Sequence, residues 1–200
     1  MVRPASQPVV VFALLLTTLP AATKGQGAVD VSCIVMNADR MPVAERESQL
    51  DSVSFRIYGA PVKICYSRPA ARGRTMLGGP DVPFGRIWGT GDNEPAMIHT
   101  SVDLIVAGIR LFPGSYSLYT VPGRGQWEII LNRSTSQWGQ ESYYTQQVRE
   151  QEVGRAGVPS ERLDNYVERF TIRVRPAPPN NATVVIEWEH TQVLIPIGKG

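Results

Sequence analysis

From Val53 onward the chain keeps a two-residue hydrophobic period. Val53, Phe55 and Ile57 alternate with Ser54, Arg56 and Tyr58. After Gly59-Ala60, Val62, Ile64 and Tyr66 alternate with Lys63 and Cys65. Successive strand side chains point to opposite faces, so this period predicts a hairpin with one buried face. Further strands are expected at Ala96–Val102, Asp103–Val106, Ile109–Phe112, Ser115–Val121 and Trp127–Asn132, turned by Pro113-Gly114 and by Pro122 to Gly125. Three more close the chain at Glu168–Arg175, Thr183–His190 and Gln192–Ile197. Residues 141–153 (ESYYTQQVREQEV) lack alternation and carry helix formers, so a short helix is expected there, stopped by Gly154 and Gly157. The fold class that follows is mainly β, an antiparallel sandwich or barrel-like sandwich of about nine strands.

What precedes this pattern has a different character. Arg3, the apolar run Val9 to Leu19, and then Pro20, Ala21 and Ala22 form the three parts of a signal peptide, with cleavage expected near residue 28. The run has eleven residues, short of the ~20 that a membrane-spanning helix needs. Residues 29–52 are polar and poorly patterned, and read as an N-terminal arm with one helical turn near Ala44–Gln49. Residues 53–197 then make a single β domain. Cys33 and Cys65 are the only two cysteines. In an oxidising compartment they are a disulfide candidate, and the bond would tie the arm to the second strand. The chain is therefore expected to be exported, to the periplasm or beyond, with no transmembrane span after cleavage.

The long stretch 67–94 is the irregular part, dense in glycine and proline. Long loops in compact domains are often functional. Arg68, Arg72, Arg74 and Arg86 lie in it. Guanidinium groups grip carboxylates and phosphates through paired hydrogen bonds. These arginines read either as an anion site or as struts paired with Asp81, Asp92 and Glu94. Asn93 and Glu94 follow the turn Gly91-Asp92. Glu94 reads either as a structural partner for an arginine or as a general base working with Asp92 or His99. Among the aromatics, Trp88 lies in the same stretch, and Trp138 in Gln137-Trp138-Gly139 lies off the strand pattern. The ligand-binding candidates are thus Arg68, Arg72, Arg74, Trp88, Asn93, Glu94 and Trp138.

Other chemistries find little support. The histidines are His99 and His190, and neither sits at metal-ligand spacing, so no metal is expected. No GxSxG elbow or phosphate-cradling glycine loop is present, so no catalytic residue and no cofactor is assigned. A formal charge of +2 gives no reason to expect nucleic acid.

Several ordered motifs resemble one family. They are Tyr66-Ser67-Arg68-Pro69 with Arg72-Gly73-Arg74, then Leu77-Gly78-Gly79, Val82-Pro83-Phe84-Gly85 and Trp88 through Glu94. Pro113 to Leu118, Pro122-Gly123, Trp127, Asn132 and Gln137-Trp138-Gly139 continue the set. Together they resemble the bacterial exported family domain of unknown function 2911 (DUF 2911), over about residues 53–197. The resemblance implies export and a β-rich domain, and it carries no reaction with it. The family pattern Trp-Arg-Thr-Gly-Ala-Asn-Glu is altered here, with Gly89 for the arginine and Asp92 for the alanine. If that arginine serves a ligand, the contact is changed or lost here; if it props Glu94, Arg68 or Arg74 is expected to take over. Two functions are carried forward. One is a non-enzymatic binding or structural module of the cell envelope, taking an anionic small ligand, a glycan or another envelope component. The other is a hydrolase built on Glu94 with Asp92 or His99.

Overall fold

The computed structural model describes Met1 and residues 32–200; the expected signal segment lies almost wholly outside these described residues. Nine strands make one antiparallel sheet in the order β1-β2-β3-β6-β7-β8-β9-β4-β5. They are β1 (Gln49–Ile57), β2 (Ala60–Arg68), β3 (Ala96–Thr100), β4 (Leu104–Val106), β5 (Ile109–Leu111), β6 (Gly114–Val121), β7 (Gln126–Asn132), β8 (Glu152–Ala177) and β9 (Asn181–Lys199). The mainly β, antiparallel class read from the alternation holds.

The sheet folds over on itself through β8, without closing. Its first part pairs with β7, from Asn132↔Glu152 to Gln126↔Pro159. Its remainder pairs with β9, from Ser160↔Val193 to Ala177↔Asn181. Between the two layers lie the inward residues of the alternation: Ile57, Val62, Ile64, Ile98, Leu118, Ile129 and Leu131 from one side, and Val184, Ile186, Ile195 and Ile197 from the other. Each such side chain contributes roughly 1.5–3 kcal/mol when withdrawn from water.

Two expectations need correction. The helix over 141–153 is only a 3-10 turn at Glu141–Tyr143 and a single turn, α1 (Gln146–Arg149). From Glu152 the chain is already strand, so Gly154 and Gly157 lie inside β8 and stop nothing. The last two expected strands are one, β9, bent at Glu189, which has φ +51°. The short helix has a clear role. Thr145 caps it through the Val148 amide, and Val148 packs with Tyr119, Ile130 and Tyr144 on the outer face of β6 and β7. Asn132 Nδ2 donates to Val148 O at 2.7 Å and ties the turn down.

The arm is built into the domain. Its helical turn is a 3-10 turn at Val43–Glu45, slightly earlier than expected. Cys33 and Cys65 are disulfide-bonded with Cα atoms 5.7 Å apart. Among the described residues no helix is long and apolar enough to cross a membrane.

Candidate functional site

Trp88 is the centre of the irregular stretch. Its main chain bridges to Thr120 of β6, with Trp88 N to Thr120 O at 2.8 Å. Its indole stacks on Trp188, centroids 5.6 Å apart, and meets Phe170 and Trp127 edge-on. The indole N–H donates to Gly91 O at 2.8 Å and folds the chain back on itself. This turn carries unusual backbone. Thr90 and Asn93 have φ +56° and +61°, and Gly91 has φ +157°. A β-branched residue at positive φ is a genuine outlier. Thr90 is fully buried, with its hydroxyl 3.1 Å from that of Thr120. Strain of this kind persists where surrounding packing over-determines it, and it clusters at functional sites.

Gly89 packs directly against Gly139. A Cβ there would lie 2.8 Å from Gly139 Cα. The two backbones therefore meet at a pair of glycines, and an arginine at 89 would have to push the 137–140 loop away. Gln137 anchors that loop by donating to Tyr119 Oη at 2.8 Å. Burial raises the Tyr119 pKa to about 12, which keeps its phenol neutral.

Two adjoining clefts flank Trp88, of about 360 and 550 Å³. They share Asp81, Val82, Trp88, Gly91, Asp92 and Gln140. Arg72, Arg74 and Glu47 line the first, and Arg86, Asn93 and Glu141 the second. The structure thus brings together Arg72, Arg74, Trp88 and Asn93. Each arginine faces an acid: Arg72 meets Glu47, Arg74 meets Asp81 at 2.9 Å, and Arg86 meets Glu141 at 2.8 Å. Asn93 Nδ2 is buried without a hydrogen-bond partner among the described residues.

The other candidates lie elsewhere. Arg68 is a strut, bonded to Asp51 at 3.2 Å, to Thr171 Oγ1 at 3.0 Å and to Phe170 O. Trp138 is half-buried and lines neither cleft, although Gly139 and Gln140 line the second. Glu94 is buried and lines neither cleft. Its carboxylate meets Arg46 Nη1 at 2.7 Å and accepts from the Met36 amide. Arg46 also donates to Met36 O at 2.7 Å and to Met41 O at 3.3 Å. The strut of Glu94 is therefore neither Arg68 nor Arg74. It is an arginine of the arm, 48 residues away, which no local pattern could reveal. Glu47, Gln140 and Trp188 were also missed as lining residues, for the same reason.

Neither curated proteins nor solved structures give a match to this chain. A family model does, that of a protein of unknown function (DUF2911), over residues 48–197. The match starts one residue before β1 and ends within β9, and it takes in every residue that lines the two clefts except Glu47. The chain belongs to the DUF2911 family.

Proposed function

We propose that this is an exported β domain that binds a glycan of the cell envelope, without transforming it, in the groove past Trp88. The observation that carries this reading is the lining of the two joined clefts. It interleaves guanidinium donors (Arg72, Arg74, Arg86), carboxylate acceptors (Asp81, Asp92, Glu141) and the amides of Asn93 and Gln140. Sugar hydroxyls donate and accept at once, and such a mixed lining suits them better than a purely anionic ligand. Trp88 adds an aromatic surface to both clefts. The ion pairs there are exposed, worth about 0–1 kcal/mol each, and a ligand can open them cheaply. The strained turn at Thr90 and Asn93 agrees with a site held in one shape. Export is supported by the apolar N-terminal run and by the Cys33–Cys65 bond, which suits an oxidising compartment.

Glu94 supports the binding reading over a hydrolase. Its carboxylate is committed to Arg46 and Met36, away from the groove. A glycan array probed with the purified domain and with Asp92→Ala and Gln140→Ala tests the proposal. Both positions are exposed, so melting temperatures should not move while glycan binding is lost. Binding to no glycan, or binding unchanged in both variants, would sink the idea.

A further inference from the structure

A third cleft, of about 430 Å³, opens beside the first and meets it at Arg74, which lines both. Leu77, Phe84, Tyr166, His190 and Thr191 line it too. A break in strand register builds it. Arg162 of β8 pairs with Thr191 of β9, and Val167 pairs with Glu189. Residues 163–166 therefore stand opposite the single residue His190 and form a bulge. Bulges re-aim side chains and are frequent beside functional sites. Here the bulge carries Tyr166 to the surface, where it is 46% exposed.

The bulge is held in one shape. His190 Nδ1 donates to Leu163 O at 3.1 Å. The His190 ring meets that of Tyr166 edge-on, with centroids 5.4 Å apart. A carbonyl only accepts, so Nδ1 carries the hydrogen, and Nε2 of the neutral ring is an acceptor. Glu189, at φ +51°, accepts from the Met76 amide at 3.1 Å and from the Leu77 amide at 2.8 Å. It thereby fixes the 74–77 segment to the bend of β9. Met76 lines the first cleft and Leu77 the third, so this segment is the sill between them.

The lining says what kind of ligand fits. Leu77, Phe84 and Tyr166 supply apolar surface, and Arg74, His190 and Thr191 supply donors and acceptors. That mixture suits a sugar, whose ring has C–H faces and hydroxyl edges. Each cleft alone is within the range of one small-ligand site, about 300–1,000 Å³. Three clefts meeting at shared residues suit a chain of linked sugars better than a single one. On the sill the Arg74–Asp81 pair is exposed, so a ligand can open it cheaply. We propose that the ligand is an oligosaccharide of several units, which runs from the Trp88 clefts over Arg74 into the third cleft, where its far end rests on Tyr166. This rests on the glycan reading of the Trp88 groove and adds chain length to it.

The test is a chain-length series on the disulfide-intact protein. Oligomers of N-acetylglucosamine and of galacturonic acid, from disaccharide to hexasaccharide, are titrated by calorimetry and followed by NMR of the Trp88 indole and the His190 ring. In at least one series the hexasaccharide should bind at least about tenfold more tightly than the disaccharide. The disaccharide should shift Trp88 alone, and the hexasaccharide both Trp88 and His190. Tyr166→Ala should weaken the hexasaccharide about three- to tenfold, the worth of one aromatic contact, and leave the disaccharide unchanged. Tyr166→Phe should keep the tighter binding. The proposal is overturned if the hexasaccharide binds no better than the disaccharide, if His190 stays in place, or if Tyr166→Ala weakens both equally. In those cases a disaccharide still bound beside Trp88 leaves the groove reading standing, whereas no binding in either series removes both. The two NMR reporters on the unmutated chain decide the matter even if Tyr166→Ala fails to fold.

Discussion

Asp92 and Glu94 stand two residues apart and end in opposite surroundings. Glu94 is paired with Arg46, and the two side chains are 5% and 1% exposed. Asp92 is exposed and faces both clefts beside Trp88. The neighbouring pair Arg74–Asp81 is 54% and 46% exposed. The same residue types therefore do different work on the two sides of Asn93. The buried pair fastens the arm to the sandwich. The exposed pairs present charge to solvent and can exchange partners. Burial, more than the identity of the residues, separates a structural ion pair from a solvent-facing one.

The sharpest way to break this contrast is to remove one member of the buried pair. Arg46→Ala leaves the Glu94 carboxylate without its guanidinium in a dry site. It should cost about 3–5 kcal/mol in urea unfolding. A loss under 1 kcal/mol would mean that water reaches Glu94 and that the arm is loosely held. Next comes the covalent tether. Cys33→Ser combined with Cys65→Ser should cost roughly 3–4 kcal/mol for a loop of this length. The effect should overlap with that of Arg46→Ala, because both release the same arm, so the triple variant should fall short of the sum.

A smaller effect should follow pH. His99 titrates below its ordinary 6.5 in the folded chain, chiefly because it is buried. The unfolded chain thus takes up this proton first as pH falls. Stability from this group is complete above pH 6.5 and declines from there down through the folded pKa. His99→Gln should flatten that part of the stability curve. An unchanged slope would place the titrating group elsewhere. Smallest of all, Arg74→Ala should change stability by no more than about 0.5 kcal/mol, since its pair is exposed. A large loss there would erase the distinction between the two regions.

The sandwich was legible wherever one strand face is buried. β1, β2, β3, β6 and β7 carry their core residues at every second position, and they lie where the alternation put them. β8 was half-missed for a physical reason. Between Glu152 and Arg169 most of its side chains are exposed or half-exposed, so no buried face marks the strand in the sequence. The expected helix at 141–153 came from composition, and a stretch without alternation can be a turn as easily as a helix. The site divides in the same way. Trp88, Asn93, Arg72 and Arg74 were found because the irregular stretch concentrates them. Arg46 and Trp188 were not, because Arg46 reaches Glu94, and Trp188 the first cleft, only through the tertiary fold. His99 was visible as a lone strand histidine. Its row with Lys63 and Ser115 exists only in the register of three strands.

The central claim is that the groove at Trp88 takes a ligand while Glu94 remains fixed behind it. The Trp88 indole N–H, bonded to Gly91 O, is the most direct reporter. Its NMR resonance can be followed while oligosaccharides of N-acetylglucosamine and of uronic acids are titrated into the protein and into Asp92→Ala. The account predicts a saturable shift of the Trp88 indole with at least one glycan, lost in Asp92→Ala, with the Met36 amide that binds Glu94 unmoved. A Trp88 resonance that no glycan moves, or a Met36 amide that shifts in its place, would contradict it.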